Sequence, residues 1–196
     1  MKDFVIFLLS KVYKSIEVPE NYIENAFLKT CKDIQYHFPN ISIVEIENRI
    51  ITNNNELAIF LFRLGNEFHI NNLDQYKFQI HWLLKELCSC EIYFNNEIDE
   101  GFYVIHGQGT VIGSRNNIGK GFKIHQGCTI GHKKNGIGNG NLIGNDVTLY
   151  CNSSIIGELI IGDKVVIGAH VLITNNINSN TIVTANLQNG EKNIKE

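Results

Sequence analysis

Isoleucine recurs every sixth residue at Ile112, Ile118, Ile124 and Ile130, and again at Ile155, Ile161, Ile167 and Ile173. Glycine often follows, as at Gly113, Gly119, Gly131, Gly162 and Gly168. Six is a multiple of the two-residue strand repeat, so each isoleucine points to the same side of an extended chain. On an α-helix the same spacing would carry the apolar stripe round by about 240° per repeat, and no face would collect it. Short strands of fixed length, each burying one large aliphatic side chain and turning at a residue that tolerates positive φ, predict a β-solenoid.

The first half is written differently. Up to about residue 90 the apolar positions follow helical spacing. Pro19-Glu20-Asn21 reads as a helix start, because proline is tolerated in a first turn, and Pro39 ends that segment. Asn53-Asn54-Asn55 is a polar break that can cap the next helix, with Gly65 and Asn66 loosening its far end. Asn72 or Asp74 is expected to cap the last helix, which carries Tyr76, Phe78, Ile80, Trp82 and Leu83. Met1 to Leu9 is apolar but lacks a small-residue cleavage site, so it reads as a buried first helix. The predicted class is therefore α+β: an α-helical N-terminal domain over 1–90, a β-helix over 91–183, and a polar C-terminal tail over 184–196.

Composition removes several functions. A net charge of −3 with no basic stripe gives no reason to expect nucleic acid. No run of eighteen apolar residues occurs, so no membrane span is expected. Five cysteines, odd in number and with Cys88-Ser-Cys90 as C-x-C, lack metal-ligand spacing and read as reduced thiols of a cytoplasmic protein.

The six-residue step fails twice. Between Val104 and Ile112 two residues are in excess, and His106 sits there; between Ile130 and Ile143 an insertion begins His132-Lys133-Lys134-Asn135-Gly136. Function concentrates where a regular scaffold is interrupted, and both interruptions carry histidine. His37, His69 and His81, within the helical half, read as structural.

The Ile-Gly hexads resemble the hexapeptide-repeat transferases. Cys90-Glu91-Ile92-Tyr93-Phe94, the Gly101–Gly107 stretch with its histidine, and Ile118-Gly119-Lys120-Gly121 through Ile130-Gly131 resemble the serine O-acetyltransferase family within them. Phe62-Arg63-Leu64-Gly65 is similar to that family's helical Tyr-Arg-Ile motif. The resemblance spans roughly residues 55–180. It implies a left-handed, three-sided parallel β-helix, although parallel crossovers are otherwise right-handed. With three hexads per coil, Val104 and Ile124 stack one coil apart and bring His106 near His125.

The resemblance also implies a chemistry: transfer of an acetyl group from acetyl-CoA to a hydroxyl. His106 matches the general base, since a neutral imidazole can take a hydroxyl proton near pH 7. Glu91 matches the carboxylate that orients it. Gly131, His132, Lys133, Lys134 and Ala169 are the expected coenzyme A contacts, and His125 and Arg63 the expected acceptor contacts. No metal is expected, because His106, His125 and His132 lack the spacing of the zinc enzymes built on this scaffold. The implied assembly is a homotrimer, with a dimer of trimers as a further possibility.

Departures from the resemblance bear on the acceptor. The serine enzymes carry an aspartate before the catalytic histidine and Arg-His in the inserted loop; here Ile105 and Asn139-Gly140 stand there. A zwitterionic amino acid would lose its charge partners. This pattern resembles the branch that acetylates sugar hydroxyls in surface polysaccharide synthesis. L-serine and a non-catalytic trimeric assembly role are the alternatives.

Overall fold

The structure, a computed structural model, describes residues 1–134, 137–186 and 191–195, with side chains described as far as Ala185. Five helices come first: α1 (Lys2–Leu9), α2 (Glu20–His37), α3 (Ile43–Thr52), α4 (Asn54–Ile70) and α5 (Asp74–Cys88). Short strands follow from Glu91 onward.

Each helix boundary has a local cause. Pro19 occupies the N-cap of α2, and its missing N–H is no loss there. Pro39 biases Phe38 away from helical geometry, and α2 stops at His37. Ser42 Oγ accepts from Glu45 N–H at 3.2 Å and starts α3, a helix that the apolar spacing alone leaves unassigned. Asn53 Oδ1 accepts from Asn55 N–H at 3.0 Å and starts α4, as the polar break suggests. For α5 the expectation fails. Leu73 is the N-cap and no side chain caps it; Asn72 instead takes a left-handed turn at φ 56°.

Helix α4 is the centre of the helical half, buried almost continuously from Glu56 to Phe68. Gly65 does not loosen it, because the helix runs on to Ile70. A Cβ at Gly65 would lie 2.2 Å from the Phe94 ring, so the glycine admits the first solenoid coil against the helix. Asn66 Nδ2 then donates to the Phe94 and Asn96 carbonyls. Phe62 meets Phe102 edge-on at 5.5 Å, inside the same joint. Met1–Leu9 behaves as expected: Val5, Leu8 and Leu9 are buried on one face.

The second half is a three-walled parallel solenoid. Its first wall stacks Glu91–Ile92, Val111–Ile112, Thr129–Gly131, Ser154–Ile156 and Leu172–Ile173. The second stacks Glu97–Ile98, Asn117–Ile118, Leu142–Ile143 and Ile160–Ile161. The third stacks Tyr103–Val104, Lys123–Ile124, Thr148–Leu149, Val166–Ile167 and Ile182–Asn186. The hexad residues form the inward columns: Ile92, Ile112, Ile130, Ile155 and Ile173 on one wall, Val104, Ile124, Leu149, Ile167 and Val183 on another, all buried. Each such burial contributes about 1.5–3 kcal/mol.

The corner between the first and second walls is closed by a buried asparagine ladder. Asn96 Oδ1 accepts from the backbone and side-chain N–H groups of Asn116, and Asn116 Oδ1 accepts the same pair from Asn141. Asn141 Oδ1 accepts from Leu159 N–H at 3.1 Å. Each amide thus satisfies the backbone of the next coil, where no water reaches.

The end of the chain corrects one expectation. Residues 182–186 are the last strand of the third wall, and 191–195 pair back on them antiparallel, so part of the expected tail is strand. Residues 187–190 and 196 of that tail lie outside the described residues. Among the described residues, no helix is long and apolar enough to cross a membrane. Cys31, Cys88, Cys90 and Cys128 are buried single thiols; burial pushes Cys31 up to about 11 and Cys90 up to about 12, which keeps both protonated at neutral pH.

Candidate active site

His106 stands exposed on the corner between the third and first walls, in the two-residue excess that breaks the hexads. That loop is pinned from the helical side. Gly107 N–H donates to Asn55 Oδ1 at 3.0 Å, and Gly109 N–H donates to the Ser89 carbonyl at 2.8 Å. The same asparagine cluster that starts α4 therefore also anchors the histidine loop.

His125 follows one coil on, as the register of Val104 with Ile124 requires. Its ring centroid lies 6.1 Å from that of His106, edge to face. One coil further, Tyr150 stacks on His125 at 4.7 Å and 21°. Burial lowers the basicity of His125, and the nearby His106 imidazole adds to this. Ala169 and His170 occupy the same corner in the next coil, both exposed, with His170 at φ 60°. The structure thus gathers His106, His125, Tyr150, Ala169 and His170 along one edge.

Gly131 and His132 lie elsewhere in the chain. Gly131 ends a first-wall strand and His132 follows it, whereas His106 and His125 precede one, so the two sets occupy opposite ends of that wall. The three histidines do not converge on a point within one chain. His132 Nε2 is 2.9 Å from the Ser114 carbonyl oxygen. A carbonyl only accepts, so Nε2 is the donor there, and Nδ1 is buried without a partner among the described residues. Lys133 and Lys134 are exposed. Asn135 and Gly136 of the same loop lie outside the described residues.

Two residues expected at the site are engaged in other contacts. The Glu91 carboxylate turns toward α5, where Oε1 accepts from Lys85 Nζ at 2.8 Å and lies 3.6 Å from His81 Nε2, too far for a hydrogen bond. No hydrogen bond joins Glu91 to His106 among the described residues. Arg63 clamps the helices to the solenoid. Its Nε and Nη2 donate to both Asp33 oxygens at 2.7 and 2.6 Å, and two further donors reach the Ile98 and Asp99 carbonyls. Asp33 also accepts from Gly101 and Phe102 N–H, so the pair rivets α2 and α4 to the first coil. Four of five guanidinium donors are consumed this way.

A cleft of about 880 Å³ opens between the helices and the second wall, lined by Lys29, Arg63, Asn66, His69, Glu97 and Asp99. It does not include His106, and its charges are largely paired already, Lys29 with Glu67 and Arg63 with Asp33. The histidine edge is a separate surface, which a single chain leaves open to solvent. Tyr150, a large residue just after Leu149 in the hexads, is the member of that edge to which the sequence assigns no role.

The fold is that of the serine acetyltransferases: N-terminal helices followed by a left-handed parallel β-helix. The crystal structure of the Neisseria gonorrhoeae serine acetyltransferase superposes with a TM-score of 0.77 at 18% identity, over 98% of this chain and 77% of that one. A Brucella abortus serine acetyltransferase in complex with coenzyme A gives 0.70 at 15% identity, over 89% and 66%. Among curated proteins, the Helicobacter pylori (strain 26695) serine acetyltransferase is 26% identical over 121 residues, 61% of this chain and 71% of the relative. The Staphylococcus epidermidis (strain RP62A) serine acetyltransferase is 34% identical over 95 residues, 47% of this chain and 44% of the relative. No protein-family profile matches the chain. The expected leaning toward the polysaccharide branch finds no support among these relatives, which are named for serine.

Proposed function

We propose that this chain is an acetyl-CoA-dependent O-acetyltransferase in which His106 is the general base. The observation that carries the reading is an exposed imidazole where the hexads break, on a scaffold shared with serine acetyltransferases. The Brucella abortus neighbour, named as a coenzyme A complex, supports acetyl-CoA as donor. Neutral His106 takes the acceptor hydroxyl proton as the oxygen attacks the acetyl carbonyl. The tetrahedral adduct collapses, the C–S bond breaks, and the imidazolium returns its proton to the departing thiolate. Acetylated product and free coenzyme A leave, and His106 is neutral again.

The relatives' names make L-serine the first acceptor to test. A second reading, a sugar hydroxyl, is favoured by one observation: Ile105 and Asn139-Gly140 supply no charge for an amino acid's carboxylate or ammonium. We further infer a trimer, in which the Gly131–Lys134 edge of one copy faces the His106 edge of another. Release of thiol from acetyl-CoA, with L-serine and with nucleotide sugars in parallel, decides the acceptor. His106→Ala should lower kcat by about 100-fold or more. Retention of the full rate in that variant would remove His106 from the mechanism.

A further inference from the structure

The exposed His106 ring needs something to hold its orientation, because a general base works only when its lone pair meets the hydroxyl. In the serine acetyltransferase pattern a carboxylate does this, and Glu91 stands at its position. Here Lys85 holds that carboxylate at 2.8 Å, on the α5 side. What does touch the His106 ring is His125, edge to face at 6.1 Å. The opposite side of His125 is covered by Tyr150.

This stack is built into the backbone. Ile105 N–H donates to the Ile124 carbonyl, His125 N–H to that of Leu149, and Tyr150 N–H to that of Ile167. Residues 105, 125 and 150 therefore occupy one column of the same corner. The 4.7 Å between the His125 and Tyr150 rings matches the natural spacing of adjacent strands, so the stack forms without distortion. Both backbones are locked as well. Thr110 Oγ1 donates to the His125 carbonyl at 2.9 Å, and Ser153 Oγ donates to the Tyr150 carbonyl at 2.7 Å. In the next coil the column continues at Gly168, which has no side chain to compete for the tyrosine ring. The titratable groups facing His125 are His106 on one side and Tyr150 on the other.

We propose that His125, held by Tyr150, is the positioning residue for His106, replacing the carboxylate that Lys85 has drawn away. The proposal rests on His106 being the base. A neutral imidazole beside the base keeps it fixed without adding a neighbouring cation, which would oppose proton uptake.

The test uses the full chain, acetyl-CoA, and whichever of L-serine or a nucleotide sugar supports turnover. His125→Ala should lower kcat about 100-fold, and Tyr150→Ala about 10-fold, with the acetyl-CoA KM within about threefold of the parent. Both should move the pH at which kcat falls on the acid side. Tyr150→Phe should restore most of the rate lost in Tyr150→Ala, because stacking needs the ring and not the hydroxyl. Glu91→Gln should cost about threefold or less. A roughly 100-fold loss in Glu91→Gln, or an unchanged rate and pH profile in Tyr150→Ala, would overturn the proposal. Tyr150→Phe no better than Tyr150→Ala would also overturn it, by assigning the effect to the phenol. His106→Ala separates the two levels: if it is inactive while Tyr150→Ala is unchanged, only the positioning role fails.

Discussion

Two corners of the same solenoid are built on the same ladder and do opposite things with it. Between the first and second walls, Asn96, Asn116 and Asn141 point inward, are buried, and spend their amides on the backbone of the next coil. Between the third and first walls, His125 and Tyr150 repeat with the same coil-to-coil register but point outward, half-buried and exposed. The inner ladder satisfies polar groups that water cannot reach, so it serves stability. The outer ladder keeps its rings in contact with solvent and with the exposed His106. Register alone does not assign a role to a repeated side chain; the direction in which it points does.

The comparison breaks most visibly at Asn116. Its replacement by alanine removes the acceptor of both Asn141 donors, backbone N–H and Nδ2, and the donor to the Gly113 carbonyl, while the backbone N–H at 116 still reaches Asn96 Oδ1; the fold should be destabilised by about 3 kcal/mol. Urea unfolding measures this, and a cost below about 1 kcal/mol would mean that water enters the corner. Acid provides a second, intermediate contrast. Burial lowers the basicity of His37, His81 and His125. The unfolded chain binds protons near pH 6.5 that these folded imidazoles resist, so their neutral form contributes fully above about pH 6.5 and stability falls as the pH drops below it. The urea midpoint should decline from pH 7.5 to pH 5.5, whereas the loss caused by Asn116→Ala should stay constant over that range. The smallest effect belongs to the outer ladder: Tyr150→Ala should change unfolding free energy by no more than about 0.5 kcal/mol while still slowing turnover.

Much of this architecture could be read from residue spacing, and the reasons for success and failure are physical. The six-residue step names the inward columns directly, because strand periodicity leaves only one side for the isoleucines. The closeness of His106 and His125 also follows from spacing, since Val104 and Ile124 bracket a known excess of two residues. Tyr150 is visible as a large residue just after Leu149 in the hexads, but no role attaches to it there, because the ring it meets depends on how the coils stack. The capture of Glu91 by Lys85 depends on how α5 packs against the first coil, which no local pattern encodes. Arg63 was expected to meet an acceptor, but the motif around it says only that a buried arginine is needed; Asp33, thirty residues earlier on another helix, explains why. The helix at Ile43–Thr52 did carry a signal, Ser42 followed by Glu45 three residues on, that apolar spacing overlooks.

The hydrogen bond from Gly107 to Asn55 has a consequence for evolution and for protein engineering. The loop bearing the reactive ring is moored to the start of a helix, not only to its own coil. Transplanting the solenoid onto another front half would set that mooring adrift. The resulting hybrid should fold, stack its coils in order, and still turn over slowly.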